Sequence, residues 1–282
     1  MRADMRVPFI KMHGLGNDFV VLDARADALP EMTARTAAAL ADRREGVGCD
    51  QLVLLEPSSL ADFRMRIFNS DGSEVGACGN AARAVALLHG RAARVETQGG
   101  IIGVEPDGTL HGTGARVDMG RPRFDWDAIP LAYPMDTGSM PVGWEGMDNP
   151  GAVNVGNPHV VCFVADCDAV ELDRIGPEIE HDPLFPERVN VNCATVESRD
   201  RIRLRVWERG AGLTRACGTG ACATAVVAMR RGLVDKRVTV VLPGGPLTIE
   251  WADTNPAAGA SIVMTGPASE AYRGSFEWDD YA

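Results

Sequence analysis

The sequence predicts a mixed α/β chain of two similar domains that arose by internal duplication. Three observations predict it. A pattern of residues recurs along the chain at a nearly constant offset, and each copy alternates short apolar strand segments with two helical segments. The second helix of each copy is rich in Ala and Val with few polar residues, so it is expected to be buried on most sides within a sheet that wraps it.

The repeat is clearest around two cysteines. Phe63 to Asn69 (FRMRIFN), followed by Ala77-Cys78-Gly79, matches Ile202 to Glu208 (IRLRVWE), followed by Ala216-Cys217-Gly218, at an offset of 139 positions. Arg66 falls on Arg205, Cys78 on Cys217, and Ala82, Ala84 and Ala86 on Ala221, Ala223 and Ala225. Upstream, Gly16-Asn17-Asp18-Phe19-Val20-Val21 matches Gly156-Asn157-Pro158-His159-Val160-Val161 at 140, and Gln51 falls on Asn190 at 139. Downstream, Gly99-Gly100, Glu105, Met119 and Pro122 match Gly244-Gly245, Glu250, Met264 and Pro267 at 145. The small steps in offset read as loop insertions. The first domain is expected to cover residues 1–122 and the second 123–267, with Asp125 to Asn149 a Pro/Gly-rich connection.

In chain order, strands are expected at Phe19 to Leu22, Leu52 to Leu55, Phe63 to Phe68 and Ile101 to Val104. Their second-half counterparts are Val160 to Val164, Val191 to Val196, Ile202 to Trp207 and Val238 to Leu242. Helices are expected at Thr33 to Arg43, Asn80 to His89, Ala169 to Ile175 and Thr219 to Arg231. The last ends in Arg230-Arg231-Gly232, which places cations and a left-handed cap residue at the negative end of its dipole.

Composition narrows the function classes. The chain has 282 residues, 45% of them hydrophobic, enough for a core in each of two domains. No stretch reaches the ~18 to 20 apolar residues of a membrane span, and Met1 to Gly14 lacks a signal-peptide core, so a cytoplasmic protein is expected. A net charge of −11 with the two signs interspersed argues against a nucleic-acid partner. The seven cysteines form no CxxC pair and no zinc-like grouping with His, so they read as free thiols, and no metal is expected.

Two of the cysteines share a reactive context: a strand, a glycine-containing turn, Ala-Cys-Gly, then the first turn of an apolar helix. Unpaired N–H groups and the positive dipole end favour thiolate at Cys78 and Cys217. The same groups make each helix start a carboxylate site, and Gly79 and Gly218 let a ligand approach the backbone. Halves related by pseudo-symmetry would set the two thiols on opposite sides of one ligand. Inversion at a carbon bearing a removable proton needs that arrangement, one group taking the proton and the other delivering one to the opposite face. A carbanion would then be held by helix N-termini, without metal or pyridoxal phosphate.

At these residues the chain resembles the diaminopimelate epimerase family over nearly its whole length. Lys11-Met12-His13-Gly14-Leu15-Gly16-Asn17-Asp18-Phe19 is similar to that family's N-terminal signature. Asn69-Ser70-Asp71-Gly72-Ser73-Glu74 leading into Cys78-Gly79-Asn80 is similar to its first cysteine motif. Gly156-Asn157-Pro158-His159, Arg188-Val189-Asn190, Glu208-Arg209-Gly210-Ala211-Gly212 and Ala216-Cys217-Gly218-Thr219-Gly220 complete the set. The resemblance implies two pseudo-symmetric domains, each a curled, mainly antiparallel sheet around a central helix, with the tail 268–282 returning to the first. It implies a homodimer and conversion of LL-2,6-diaminopimelate to the meso isomer, without a cofactor, on the route to lysine and peptidoglycan. Asn17, Gln51, Asn69, Asn157, Asn190 and Arg209 would line the substrate site, with Asn69, Asn157, Asn190 and Arg209 gripping the unreactive end. The backbone at Gly79, Asn80, Gly218 and Thr219 would hold the reacting carboxylate, while His159 and Glu208 would orient the reacting amine and support the thiols. One departure is Ala81, where the family commonly has Gly.

Two alternatives stand beside this reading. A proline or hydroxyproline racemase shares the two-thiol logic, but Arg209 favours a substrate with a second charged end. A catalytically silent amino-acid-binding protein would need neither thiol. Cys49, Cys162, Cys167, Cys193 and Cys222 read as packing residues, and His13 and His111 as structural.

Overall fold

The computed structural model describes residues 5–76, 78–108, 113–253 and 259–282; Ala77 of the first Ala-Cys-Gly triplet and His111 lie outside them. The chain divides into two compact units, Met1–Val117 with Pro267–Ala282, and Asp118–Gly266.

In the first unit Arg6–Gly14 pairs antiparallel with Ser269–Glu277 on one side and with Asn17–Asp23 on the other. Leu15 and Gly16 connect the latter pair with φ of 57° and 90°, the left-handed geometry of a two-residue hairpin turn. Asn17–Asp23 runs parallel to Gln51–Glu56, with helix α1 (Ala34–Ala41) in the crossover. Gln51–Glu56 is antiparallel to Phe63–Asn69, which runs parallel to Ala93–Thr97 across helix α2 (Gly79–His89). Gly100–Asp107 and Gly114–Asp118 follow antiparallel.

The second unit repeats that order. Gly151–Asn154 is antiparallel to Pro158–Phe163, which runs parallel to Asn190–Ser198 across helix α3 (Leu172–Glu180). Asn190–Ser198 is antiparallel to Arg201–Glu208, which runs parallel to Arg237–Leu242 across helix α4 (Gly218–Arg230). Gly245–Glu250 and Val263–Pro267 follow antiparallel. Register repeats as well as order: Phe19 faces Gln51 where His159 faces Asn190, and Phe63 faces Val95 where Ile202 faces Val240.

Strand alternation divides each sheet between two helices. In the first unit Val20, Leu22, Leu52 and Leu54 join α1 residues Ala37 and Leu40 in one core. In the second, Val160, Cys162, Val191 and Cys193 join α3 residues Leu172, Ile175 and Ile179. The opposite face of the second sheet carries α4, buried from Gly218 to Met229. Each Val brought fully out of water there contributes about 1.5 to 3 kcal/mol. Gly232, at φ 69°, ends α4 with N–H bonds from Gly232 to Met229 and from Leu233 to Ala228, closing the last turn.

Several elements differ from the sequence expectation. Helix α3 is Leu172–Glu180, displaced from Ala169 to Ile175, because Leu172, Ile175 and Ile179 make the buried stripe and Pro177 sits inside the helix rather than ending it. The strands Arg6–Gly14 and Ser269–Glu277 were not anticipated, although Val7 and Phe9 alternate with exposed neighbours. The segment from Asp125 to Asn149 is more than a connection, since it buries Ile129, Leu131, Met140 and Met147 in the second unit's core.

Candidate active site

Each cysteine caps its helix. Cys78 is the N-cap of α2, in extended geometry, and its sulfur accepts the Ala81 N–H at 3.5 Å. Cys217 is the N-cap of α4, and its sulfur accepts the Gly220 N–H at 3.4 Å. Ser, Thr, Asp or Asn ordinarily fills such a position with an oxygen. A sulfur there is oriented by the helix and kept at its N–H end.

Around Cys78, Asn17 and Asn80 gather. Asn17 Oδ1 lies 3.9 Å from the Cys78 sulfur and accepts Asn80 Nδ2 at 3.1 Å, while Asn17 Nδ2 donates to Asp50 at 3.1 Å. Asp18, beside Asn17, is bridged by Lys11 at 2.5 Å and by Arg43 at 2.6 Å. Burial alone would raise the Asp18 carboxyl, but the Arg43 and Lys11 hydrogen bonds hold it well below the usual carboxylate range. Below the cap, the fully buried Arg83 guanidinium donates to Gly79 O at 3.4 Å, Asn80 Oδ1 at 2.9 Å and Pro267 O at 3.2 Å. Gln51 and Asn69 meet on neighbouring strands, Gln51 Nε2 donating to Asn69 Oδ1 at 3.1 Å. Gln51 Oε1 is buried without a hydrogen-bond partner among the described residues.

Around Cys217 the neighbours are Glu208, Thr219, Asn157 and His159. Burial pushes the Cys217 thiol well up, and the Glu208 carboxylate beside it adds to the effect. Glu208 is raised in turn, mainly by burial, against hydrogen bonds from Thr214 at 2.5 Å and from Cys217. Each group thus favours the protonated form of the other. This corrects the expectation of a depressed pKa at this helix start: the Gly220 N–H does favour thiolate, but burial and Glu208 outweigh it.

His159 is completely buried and its ring is held neutral, pushed down to about 3 by burial. Its Nε2 lies 2.9 Å from Asn157 Oδ1, Asn157 Nδ2 donates to Thr219 Oγ1 at 3.4 Å, and Thr219 Oγ1 lies 3.5 Å from the Cys217 sulfur. His159 thus reaches the thiol through two intermediaries. Asn190, also buried, donates to Pro158 O at 2.8 Å and accepts the Arg209 N–H at 2.9 Å. The exposed Arg209 guanidinium donates to Glu187 O at 2.9 Å. Glu180, 2% exposed, anchors that loop by accepting Trp207 Nε1 at 2.7 Å and the Gly210 N–H at 3.0 Å.

Sequence reasoning missed Arg83, Thr214, Glu180 and Asn192. Arg83 stands one helical turn after Asn80, and Asn192 two residues after Asn190 on the same strand face. Those spacings were the available signal. The remaining cysteines sit in cores, where burial pushes Cys49 up to about 11 and Cys193 up to about 12. The carboxylates flanking Cys167, Asp166 and Asp168, both pair with Arg203.

The family model described as diaminopimelate epimerase matches residues 9–124 and 151–270, which include every candidate named above. The chain belongs to the diaminopimelate epimerase family. A diaminopimelate epimerase of Erythrobacter litoralis is 67% identical over 99% of this chain and 100% of its own length. Another, of Rhizorhabdus wittichii, is 66% identical over 95% of this chain and 94% of its own. Membership makes the protein an isomerase and sets aside the silent binding protein. More distant solved structures share the fold. A PhzF-family phenazine biosynthesis protein of Bacillus anthracis has a TM-score of 0.71 at 16% identity, covering 96% of this chain and 99% of its own. A hydroxyproline epimerase of Agrobacterium vitis, with bound trans-4-hydroxy-L-proline, has a TM-score of 0.69 at 15% identity, covering 98% and 94%.

Proposed function

We propose that this member of the diaminopimelate epimerase family interconverts LL- and meso-2,6-diaminopimelate with Cys78 and Cys217 as the two acid/base groups and no cofactor. The observation that carries this reading is the paired capping geometry: two sulfurs, each accepting the third N–H of a buried helix, at equivalent places in a duplicated fold. One sulfur takes the α-proton and the other delivers a proton to the opposite face. Burial and the Glu208 charge raise the Cys217 thiol, so in this reading Cys217 serves as the acid toward one isomer and Cys78 as its base. The roles exchange in the reverse direction.

Helix N–H groups at Gly79, Asn80, Gly218 and Thr219 hold the reacting carboxylate, and gather charge as the carbanion forms. At the far end, Arg209 with Asn157 and Asn190 takes the second carboxylate. Gln51 Oε1, a buried acceptor beside Asn69 with no partner among the described residues, suits the distal ammonium. This two-ended recognition disfavours the proline-type alternative. The reading includes a cytoplasmic homodimer; no helix among the described residues is long and apolar enough to cross a membrane.

The test is to incubate the protein with LL-diaminopimelate in deuterated water without added cofactor. Meso product carrying one solvent deuteron at the inverted carbon is expected. Inversion without deuterium uptake would exclude the two-base mechanism, and efficient racemisation of proline instead would move the protein to the other substrate class.

A further inference from the structure

Asn192 lies at the centre of the second sheet, completely buried, and its side chain does something that packing does not require. Its counterpart at the repeat offset of 139 is Val53, also buried, so an apolar residue suffices at this place in the fold. Asn192 instead buries an amide whose Oδ1 finds no hydrogen-bond partner among the described residues.

The other end of that amide decides a proton position. Asn192 Nδ2 donates to Val160 O at 2.9 Å and lies 3.0 Å from His159 Nδ1. A backbone carbonyl only accepts, so the nitrogen and not the oxygen of the amide must face it. The same nitrogen then faces His159, and an amide nitrogen cannot accept. His159 Nδ1 is therefore the unprotonated ring nitrogen, and the single proton of the neutral ring is on Nε2, donated to Asn157 Oδ1 at 2.9 Å. That orients the Asn157 amide with its Nδ2 toward Thr219 Oγ1. Thr219 receives there, so its own hydrogen is left for the Cys217 sulfur at 3.5 Å.

We propose that Asn192 is a positioning residue that sets the direction of this chain of hydrogen bonds, so that Thr219 donates to Cys217 when the sulfur gives up its proton. The opposite histidine tautomer would reverse every link: Asn157 would present its oxygen to Thr219, and Thr219 would donate away from the sulfur. Gly220 belongs to the same device. A Cβ built there would stand 2.7 Å from Asn192 Oδ1 and 3.0 Å from Val206, so only glycine lets the orphaned oxygen lie against the helix start. The Gly220 N–H is also the group that caps Cys217. One strand residue thus touches the helix start and, through three intermediaries, the reacting sulfur.

The catalytic part of this inference rests on the two-thiol reading; the tautomer does not, and can be measured without substrate. In protein labelled with 15N-histidine, His159 should show a proton on Nε2 and an unprotonated Nδ1. A proton found on Nδ1 overturns the proposal outright. In Asn192→Asp the carboxylate takes the place of the donor and should move the proton to Nδ1. In Asn192→Val, which copies the first half of the chain, the ring should lose its single tautomer. Both variants should lower kcat about 10- to 100-fold with KM changed less than about threefold, the range for partners that orient an active group at second hand. Both should also raise the pH at which Cys217 ionises, followed by its 13Cβ shift. Folded Asn192→Val with wild-type kcat, or with unaltered Cys217 ionisation, overturns the proposal. A wild-type protein that inverts no diaminopimelate would defeat the functional reading, while the tautomer and Cys217 measurements would still decide the relay.

Discussion

The two helix starts share a backbone and differ in charge. At α2, Cys78 is half-buried beside the Asn17 and Asn80 amides, with the Arg83 guanidinium three hydrogen bonds away. At α4, Cys217 is buried beside the Glu208 carboxyl, and both burial and that charge push its thiol up. At the repeat offset of 139, Glu208 falls on Asn69 and Arg83 on Cys222, so neither acid nor guanidinium recurs at the matching place in the other half. Asn192 falls on Val53 and Gly220 on Ala81. The duplication kept the geometry that places a sulfur over N–H groups, while the side chains around that geometry diverged.

Removing either sulfur should break the comparison most severely. Cys78→Ala and Cys217→Ala should each lower kcat by about 10³-fold or more, since neither thiol can serve both faces of the α-carbon. Circular dichroism should remain that of the wild type. Wild-type turnover by either variant would mean that only one sulfur is needed.

Glu208→Gln should erase the asymmetry while keeping the shape. The Cys217 thiol is raised first by burial and next by the Glu208 charge, so removing the charge should lower the pH at which the sulfur ionises. Epimerisation should fall about 10²-fold because the proton is no longer held on the acid. The 13Cβ shift of Cys217 followed against pH checks the sign; an upward move would show that Glu208 is protonated and donates to the thiolate.

Arg83→Met tests the other half through stability. It would remove the hydrogen bonds that Arg83 gives to the Gly79, Pro267 and Asn80 oxygens, a loss of about 2 to 4 kcal/mol by urea unfolding. Arg83→Lys should recover only part of this, because an ammonium lacks the planar fork that reaches three separate oxygens. Equal stability of Arg83→Lys and wild type would show that charge alone is sufficient.

The smallest effects should come from exchanging the first-turn residues. Ala81→Gly should cost about 0.5 to 1 kcal/mol of stability from backbone entropy, with activity within about twofold. Gly220→Ala should lower kcat roughly tenfold, since its methyl would have to displace the Asn192 amide. Similar kinetics for the two variants would mean that the second helix start tolerates the methyl as the first does.

Much of this was legible in the sequence because it is carried by local signals. The Ala-Cys-Gly triplets, the apolar helices and the strand periods repeat in order, and the same repeats appear in the pairing register of both units. Cys78 with Asn17 and Asn80, and Cys217 with Glu208, Thr219, Asn157 and His159, come together as their motifs suggest. What escaped depends on contacts between elements distant in sequence. Helix dipole and N-cap favour thiolate at both cysteines, but the sealing of Cys217 beside Glu208 reverses the sign there. Arg6 to Phe9 of the first strand are paired by Gly274 to Glu277, near the other end of the chain. Asn192 looked like one more strand residue until its amide was seen between Val160 O and the His159 ring.

The carriage of both copies on one polypeptide has a further consequence. An assembly of two identical half-length chains would repeat every substitution at both sites, so a glutamate near one sulfur would appear near the other. Fusion removes that constraint. Once joined, the copies drift separately, and an acid-holding residue can be gained on one side without disabling the base on the other. The unequal pairs 69 and 208, 83 and 222, and 53 and 192 are the changes that an obligately symmetric ancestor had no means to make.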